Sequence, residues 1–352
     1  MRKELMVTIK DVALKAGVST ATVSHVINES RAVSIETKKK VRQAIMALRY
    51  RPDGIARSLR VNQTGTIAVL IADVTNPFFA DFVRGVEDTA HRRGERYNLL
   101  LCNTEENAER ERRAIELVLE RRIDGIVMAP AGGNETLLEE LVESGLPLVF
   151  GDRRLKGVAA DTVVANNFEA AAGLARHLIS LGHRRIGLLD ADLSASAIHD
   201  RVAGFRSAMA EAGLTLDPAH VVTSASNIPA ATAAGSVLLA ASPRPEAVFC
   251  TNNFMTLGMV QALQEQGLDC PKDMAVVGFD DFPWATAFRP RLTVVAQPAY
   301  EIGREAATLL FDRISGRRTG PTVQMVLDTT LVVRDSCGAN MKQPSGSLSS
   351  PA

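Results

Sequence analysis

The first 50 residues carry their apolar positions at helical spacing, in three short segments that are separated by capping signals. The apolar positions of the three segments are Ile9, Val12, Ala13 and Ala16, then Val23, Val26 and Ile27, then Val41, Ile45 and Leu48. Thr8 and Asp11 form a capping box before the first segment, and Gly17 can take the left-handed conformation that ends it. Ser19 and Ser34 can cap the next two segments. The pattern predicts a helix, a tight turn, a second helix and then a third helix.

After Thr66 the pattern changes to continuous apolar runs that alternate with amphipathic segments. The runs span residues 67–72, 97–102, 125–129, 146–150, 186–189, 248–251, 274–279 and 293–296. Apolar strands separated by amphipathic helices are typical of a parallel sheet covered on both faces. The glycines expected to end helices just before the next strand are Gly94, Gly145, Gly182, Gly213 and Gly267. Two such sheets fit the roughly 270 residues available.

Charge is distributed unevenly along the chain. The 352 residues contain 40 Lys plus Arg and 40 Asp plus Glu, so the formal net charge is +0. Residues 1–60 contain 13 basic and 5 acidic side chains, a net of +8, and the remaining 292 residues therefore carry −8. This asymmetry predicts a basic DNA- or membrane-binding module attached to a more acidic body.

Several other classes of protein are disfavoured. The cysteines, Cys102, Cys250, Cys270 and Cys337, lack CxxC spacing, so we expect buried thiols in a reducing cytoplasm and no disulfide framework or metal site. The basic N-terminus is not followed by the apolar segment of a signal peptide, and no run approaches the ~20 apolar residues of a membrane span. Because nucleophile elbows, phosphate loops and dinucleotide-binding glycine motifs are missing, we expect no catalytic residue and no cofactor.

Residues 8–28 have the composition of a DNA-reading helix-turn-helix. The second helix of this motif enters the major groove, so its first residues must be exposed and either small or able to hydrogen-bond. Thr20, Ala21 and His25 lie opposite Val23 and Ile27 and are the predicted base-reading residues. The other predicted DNA contacts are Thr8, Ser19, Thr22, Ser24, Asn28 and Arg31, which are suited to phosphate oxygens. The alternative is an ordinary three-helix bundle, which needs neither the basic charge nor the hydroxyl-rich helix.

This segment, its continuation through residues 50–60, and the later segments Arg-Val-Ala-Gly-Phe (201–205) and Val-Gly-Phe-Asp-Asp (277–281) closely resemble the LacI/GalR family of transcription regulators. The resemblance extends to about Asp335 and implies an α+β multidomain protein. The expected parts are a helix-turn-helix headpiece over 1–50, a hinge helix and linker over 51–65, and an effector-binding and dimerisation domain over 66–336. This domain would contain two doubly wound α/β lobes of periplasmic-binding-protein type, the first over about 66–165 and 293–321, the second over 166–292 and 322–336. The Ser-, Pro- and Gly-rich residues 337–352 are expected to be disordered.

The resemblance assigns a role to the hinge. In the family this segment forms a helix in the minor groove of a palindromic operator, where a leucine opens a central base step. Leu59 occupies that position, with Ala56 beside it and Arg57 and Arg60 placed for the groove or the backbone. Bending the duplex onto more protein offsets the cost of unstacking, and DNA binding can order the hinge. The alternative is a flexible linker with a chance leucine.

A ligand site is expected between the lobes, because doubly wound sheets bind ligands outside the carboxyl ends of their strands. The polar residues that follow predicted strands are Asp73, Asn76, Asp152, Asn252 and Asp280. The resemblance implies that Asp152, Arg201, Asn252 and Asp280 bind sugar hydroxyls, and that Phe78 and Phe79 form a pocket wall. The predicted effector-binding residues are therefore Asn76, Phe78, Phe79, Asp152, Arg201, Asn252 and Asp280, whereas Asp73 fits a helix cap equally well.

Two features of the sequence bear on the chemical class of the effector. Many members of the family have an aromatic ring near residues 224–228, where this chain has Ser226 and Asn227, so a purine or another flat aromatic effector is disfavoured. Positive charge from Arg153, Arg154, His199 and Arg201 would suit a sugar acid or a sugar phosphate as well as a neutral sugar.

We therefore expect a cytoplasmic repressor of carbohydrate-related genes that binds a palindromic operator as a homodimer under the control of a sugar-like effector. The absence of a leucine heptad from the C-terminal segment favours a dimer over a tetramer. The alternatives are a cytosolic sugar-binding protein and a sugar-acting enzyme, neither of which would bind DNA.

Overall fold

The computed structural model describes residues 7–28, 31–50, 64–92, 97–191 and 195–339. The chain divides into two compact units, Met1–Thr64 and Gly65–Ala352. The predicted hinge contacts Ala56, Arg57, Leu59 and Arg60 lie outside the described residues. Within the described part of the chain, no helix has both the length and the apolar character needed to cross a membrane.

The described part of the first unit contains three helices, α1 (Ile9–Ala16), α2 (Thr20–Asn28) and α3 (Ile35–Leu48). The Asp11 carboxylate accepts hydrogen bonds from the Thr8 backbone N–H (2.7 Å) and the Thr8 hydroxyl (2.8 Å). Gly17 ends α1 with φ 65°. Ser19 and Ser34 each accept the backbone N–H three residues ahead and so cap α2 and α3. The structure thus confirms the predicted caps of all three helices.

The apolar faces of these helices meet in one small core. Each helix contributes a fully buried valine, Val12, Val23 or Val41. Ile27, Ile45 and Leu48 pack against this cluster. The predicted helix, turn, helix and third helix are therefore confirmed, with α1 and α2 separated by the tight turn at residues 17–19.

The second unit alternates strands and helices. In chain order its elements are β1 (Thr66–Ile71), α4 (Pro77–Arg92), β2 (Asn98–Asn103), α5 (Ala108–Glu120), β3 (Gly125–Met128), α6 (Glu135–Glu143), β4 (Leu148–Gly151), β5 (Asp161–Ala165), α7 (Asn167–Ser180), β6 (Ile186–Ala191), α8 (Ser196–Glu211), β7 (Val221–Ser224), α9 (Ile228–Ala240), β8 (Ala247–Cys250), α10 (Asn253–Glu265), β9 (Ala275–Phe279), β10 (Thr293–Ala296), α11 (Ala299–Ile314), β11 (Gln324–Leu327) and β12 (Thr330–Val332). The eight predicted strands all occur, with ends shifted by at most about two residues.

The strands form two six-stranded sheets in the described residues. The first has the order β11-β5-β4-β3-β1-β2 and is parallel throughout. The second has the order β12-β10-β9-β8-β6-β7, with only β12 antiparallel to its neighbour. Buried clusters pack on both faces of each sheet. The predicted fold class, with two doubly wound α/β lobes, is confirmed.

The predicted boundaries of the lobes are wrong at two strands. Residues 293–321 were expected in the first lobe, but β10 pairs with β9 in the second sheet. Residues 322–336 were expected in the second lobe, but β11 pairs with β5 in the first sheet. The chain therefore crosses between the lobes after β5, after β10 and after β11. Hydrophobic periodicity identifies a strand, whereas only strand pairing decides which sheet it joins.

The expected disordered segment also begins too early. Cys337 is fully buried in the core of the second lobe, beside α7. Its backbone carbonyl lies 3.2 Å from Nε2 of His183, and its thiol lies 3.3 Å from Nε2 of His177. Residues 337–339 therefore belong to the folded lobe, and residues 340–352 lie outside the described part of the chain.

Close packing of α7 against α8 depends on Gly204. A Cβ atom at this position would lie 2.0 Å from the carbonyl oxygen of Phe168, whereas a Cβ at Gly173 in α7 would meet nothing within 4 Å. We expect Gly204→Ala to destabilise the domain by about 1 to 3 kcal/mol, because the two helices must separate. We expect the matched control Gly173→Ala to stabilise it by about 0.5 to 1 kcal/mol. Urea unfolding of the two variants tests the sign of each change, and equal effects would contradict this packing.

Candidate functional site

A cleft between the two lobes is lined by residues that follow the carboxyl ends of strands in both sheets. Its empty volume, including open solvent at the mouth, is ≈ 480 Å³. All seven predicted effector-binding residues line this cleft: Asn76, Phe78, Phe79, Asp152, Arg201, Asn252 and Asp280. The other lining residues are Asp73, Glu106, Arg153, Ala195, Ala197, Ile198, Ser226, Phe254 and Gln297. The structure thus brings together side chains that are up to 224 positions apart in the sequence, those of Asp73 and Gln297.

Arg201 on α8 is a buried cation of the cleft with several fixed contacts. Its side chain is 4% exposed. Nε donates to Oδ1 of Asn167 (2.8 Å) and Nη1 donates to the carbonyl of Thr251 (2.9 Å). The guanidinium carbon lies 3.8 Å from the centre of the Phe279 ring. Burial lowers the pKa of Arg201, although nearby carboxylates oppose this shift. Because Asn167, Thr251 and Phe279 hold its plane, the guanidinium has a fixed orientation.

Asp152 and Asp280 occupy equivalent positions in the two lobes. Each follows a central strand of its sheet. The backbone N–H of Asp152 donates to the carbonyl oxygen of Val163 (2.9 Å), and that of Asp280 donates to the carbonyl oxygen of Val295 (2.9 Å). Both are in the left-handed region, with φ 69° and 72°, which Asp tolerates better than most residues. The tight turn after each strand thereby directs a carboxylate into the same cleft.

Asp152 is almost completely buried, and burial raises its pKa. The neighbouring Arg153 and Arg201 oppose this shift. Nε of Arg153 donates to Oδ2 of Asp152 (3.2 Å), and its two Nη atoms bind both carboxylate oxygens of Glu106 at 2.5 and 2.6 Å. Glu106 thus compensates the charge of Arg153 directly.

Asparagine side chains form a hydrogen-bonded group at the cleft. Oδ1 of Asn252 accepts from the backbone N–H of Met255 and caps α10, while its Nδ2 donates to Oγ of Ser226 (2.8 Å). Nδ2 of the adjacent, buried Asn253 donates to Oδ1 of Asn76 (2.9 Å). Since Asn76 lies in the first lobe and Asn253 in the second, this hydrogen bond joins the two lobes beside the cleft.

Phe78 and Phe79 belong both to the cleft wall and to the hydrophobic core. Both are buried at the start of α4, with their ring centres 5.1 Å apart in an edge-to-face arrangement. Phe82 completes a cluster of three rings beneath them. The core therefore fixes the aromatic wall, and Phe254 on α10 adds a ring from the second lobe.

The expectation that positive charge is concentrated in the cleft is wrong. Among the described residues that line the cleft there are four carboxylates, Asp73, Glu106, Asp152 and Asp280, and two cations, Arg153 and Arg201. Arg154 pairs instead with Asp200, and it lines a separate cavity together with His199. Glu106 and Arg153 form a bidentate pair and cancel each other's charge. The described lining residues that remain are three carboxylates and one cation, Arg201, so their net charge is negative.

Sequence reasoning missed Glu106, Phe254 and Gln297. The same rule that identified Asp152 could have found two of them, because Glu106 lies three residues after the end of β2 and Gln297 directly follows β10. Phe254, on the first turn of α10, has no such signal. Asp73 does form a local turn, since its Oδ1 accepts from the N–H and the hydroxyl of Thr75.

In the first unit, α2 presents a polar surface opposite its buried Val23. Ser19, Thr20 and Ala21 are exposed, and His25 is half-buried. The hydroxyl oxygens of Ser19 and Thr22 lie 2.9 Å apart, so one hydroxyl donates a hydrogen bond to the other. The O–H group of the accepting hydroxyl is not used in that hydrogen bond. Thr8 and Arg31 are exposed, while Thr22 and Ser24 are half-buried. The side chain of Asn28 lies outside the described set.

Comparison with known proteins agrees with both units. Residues 8–53 match the family described as bacterial regulatory proteins of the lacI family, and residues 64–330 match periplasmic binding proteins and the sugar binding domain of the LacI family. The chain is 39% identical to the transcriptional repressor PurR of Vibrio campbellii over 332 residues, which cover 94% of this chain and 98% of the relative. It is 36% identical to PurR of Photobacterium profundum with the same coverage.

Solved structures give the same picture. The complex of the transcriptional regulator CelR with cellobiose is 33% identical, with a TM-score of 0.71, and the match covers 94% of this chain and 99% of that one. The lac repressor dimer bound to operator and the anti-inducer ONPF is 24% identical, with a TM-score of 0.83 and coverages of 95% and 99%, and supports the fold alone. With both units matched, the chain belongs to the LacI family of bacterial regulatory proteins.

Proposed function

We propose that the chain represses transcription as a homodimer bound to an inverted-repeat operator, and that a small neutral polyhydroxy effector in the cleft changes its affinity for DNA. The observation that carries this proposal is the convergence of carboxylates and amides from both lobes on one aromatic-walled cleft. Family membership supplies the DNA-binding role. Since operators lie on the bacterial chromosome, we propose that the protein acts in the cytoplasm.

The first unit supports the DNA-binding part of the proposal. Residues 1–60 carry a net charge of +8, which attracts phosphates without regard to sequence. Thr20 and Ala21 are exposed at the start of α2, where a recognition helix meets base edges. One helix-turn-helix contacts only a half-site, so a palindromic operator requires two copies of the chain.

The charge of the cleft supports a neutral effector. Carboxylates and amides accept hydrogen bonds from vicinal hydroxyls, and aromatic rings pack against the apolar face of a sugar. A sugar acid or sugar phosphate would meet more carboxylates than cations, and Glu106 and Asp152 already bind Arg153. A neutral sugar avoids that repulsion. The cellobiose complex among the solved relatives is consistent with this class.

Coupling to DNA would act through the angle between the lobes. An effector that contacts both Asp152 and Asp280 binds best at one separation of the two sheets, and so stabilises that state over others. The hydrogen bond between Asn76 and Asn253 also joins the two lobes, so a change in their angle must stretch or break it. A coupling free energy of about 1 to 3 kcal/mol would change operator affinity 5- to 150-fold.

Thermal unfolding in the presence of sugars tests the effector site. The panel is cellobiose, D-ribose, D-glucose, gluconate, glucose 6-phosphate and hypoxanthine, applied to the wild type, Asp280→Asn and the control Asp269→Asn. We expect a neutral sugar to raise the Tm of the wild type and of Asp269→Asn, whose exposed side chain lies at the opposite, amino-terminal edge of the sheet. Asp280→Asn keeps the left-handed turn but should bind about ten-fold more weakly.

The outcome separates the effector classes. Stabilisation by gluconate or glucose 6-phosphate, with no response to neutral sugars, would contradict the neutral class. A response to hypoxanthine alone would replace it with a purine. If a sugar raised the Tm of Asp280→Asn and of Asp269→Asn equally, the cleft would be refuted as the effector site.

The variant Asp152→Asn should change folding stability and effector binding in opposite directions. Because burial raises the pKa of Asp152 above its unfolded value, ionisation of Asp152 costs folding free energy at neutral pH, and this cost disappears as the pH falls below the ordinary value. We therefore expect Asp152→Asn to raise the Tm at pH 7, to lose this advantage in acid, and to respond less to the effector. A lower Tm at pH 7 for a correctly folded variant would contradict this assignment.

Two substitutions distinguish base-step wedging from phosphate contact. We expect Leu59→Ala to weaken binding to an inverted-repeat operator, selected by the wild type from random duplexes, far more than binding to unrelated DNA. Arg31→Ala should weaken both by similar factors, since a phosphate contact carries no sequence information. Fluorescence anisotropy at fixed salt measures both affinities. Equal losses on the two DNAs for Leu59→Ala would exclude the wedge.

A further inference from the structure

A second cavity lies between the lobes, beside the effector cleft. Its empty volume, including open solvent, is ≈ 1220 Å³. The first lobe contributes residues from β5, from the segment between β4 and β5 and from the start of β11, and the second lobe contributes the beginning of α8. The two cavities have no described lining residue in common. A molecule in the second cavity would therefore meet a different set of side chains.

Two contacts of Arg154 join the lobes at this cavity. Its backbone N–H donates to Oγ of Ser196 (2.7 Å), and its Nη2 donates to Oδ2 of Asp200. A guanidinium carries five N–H groups, and no described residue accepts a hydrogen bond from Nε or Nη1 of Arg154. The Ser196 hydroxyl, which accepts a hydrogen bond here, donates to no described residue. Unused donors from both lobes therefore line the cavity.

Positive charge exceeds negative charge among the described residues of this lining. Asp200 is their only carboxylate, and Arg154 already compensates it. Lys156 is the second cation, and neither Lys156 nor His199 forms a hydrogen bond or an ion pair with a described residue. Ser196 begins α8, whose N-cap residue provides no side-chain hydrogen bond, so the positive end of the helix dipole adds to the potential. These charges suit an anion.

One wall of the cavity is apolar. Val158 and Ala160 line it and belong to the buried core of the first lobe, and the half-buried Leu155 packs against the same core. An inorganic anion alone would leave this wall in contact with water, whereas an organic group attached to the anion would cover it. The size of the cavity also exceeds what one small anion fills.

We propose that the second cavity binds a phosphomonoester, whose phosphate is held by Lys156 and Arg154 of the first lobe and by His199 and Ser196 of the second. A phosphate group offers up to two negative charges and three strong acceptor oxygens, which match these cations and unused donors. A ligand held from both lobes stabilises one angle between them, so it acts on the same equilibrium as the effector. The site does not depend on which class of effector occupies the cleft.

The experiment compares Lys156→Gln with Lys272→Gln, which changes the other lysine of the described residues 64–339. Isothermal titration of the full-length protein at fixed ionic strength uses glucose 6-phosphate, inorganic phosphate and gluconate. We expect Lys156→Gln to weaken the binding of glucose 6-phosphate about ten-fold or more, because a charge-assisted hydrogen bond is lost. Lys272→Gln should keep the wild-type affinity within about two-fold. Weak attraction of phosphate to the basic residues 1–60 is common to both variants and cancels in the comparison.

Two further variants show how the phosphate is held. Lys156→Arg keeps the charge and should retain most of the affinity, a rescue that a merely structural role of the lysine would not explain. His199→Leu removes a donor from the opposite lobe and should weaken binding about three-fold or more. An unchanged affinity of His199→Leu would overturn a site built from both lobes. Thermal unfolding confirms that each variant is folded.

The same titrations of Asp280→Asn distinguish the second cavity from the effector cleft. A loss of glucose 6-phosphate binding in Asp280→Asn, but not in Lys156→Gln, would place the phosphate in the cleft and overturn the proposal. Equal losses in Lys156→Gln and Lys272→Gln would show non-specific attraction, and tighter binding of gluconate would contradict the phosphate class. Failure of both phosphates to bind with a Kd below about 10 mM would refute the site and leave the effector cleft intact.

Discussion

Parallel strand pairing is the constraint on which the candidate site depends. In each sheet it places the carboxyl ends of the strands at one edge, so residues from distant parts of the chain converge there. Asp152 and Asp280 illustrate the effect, because equivalent turns after β4 and β9 direct their carboxylates into one cleft. The three crossings of the chain then hold the two edges against each other. Any ligand that contacts both edges must respond to the angle between them.

Burial of charge within this cleft sets what it can bind. Removing Arg201 from water is costly, and its hydrogen bonds to Asn167 and the Thr251 carbonyl offset that cost while fixing its orientation. Arg153 is similarly held by Glu106 and Asp152. Because the cations are bonded before any ligand arrives, the cleft is a preorganised set of acceptors and not a cationic pocket. Preorganisation of this kind favours specificity, since a ligand must match hydrogen-bonding groups that are already oriented.

Sequence patterns predicted most elements of the fold but missed four of the strands. The eight apolar strand predictions were confirmed, but β5, β7, β11 and β12 were missed. β5 begins with Asp161, a charged residue that is nevertheless buried, because Arg313 binds both of its carboxylate oxygens at 2.7 and 2.9 Å. β11 and β12 are short edge strands whose residues are exposed or half-buried, and none is fully buried. Hydrophobic periodicity cannot detect strands whose polar residues are compensated by partners far away in the sequence.

The sequence by itself determined what depends on near neighbours: the caps at Thr8, Ser19 and Ser34, the apolar faces of the helices, and the polar residues at strand ends that form much of the cleft. It also determined the uneven charge of the two units, which is a property of composition. Only the tertiary structure decided which lobe β10 and β11 join, that Glu106 compensates Arg153, and that Asp280 orients Gln297. These contacts join residues 16 to 162 positions apart, and a hydrogen bond or ion pair depends on distance in space, which no local pattern specifies.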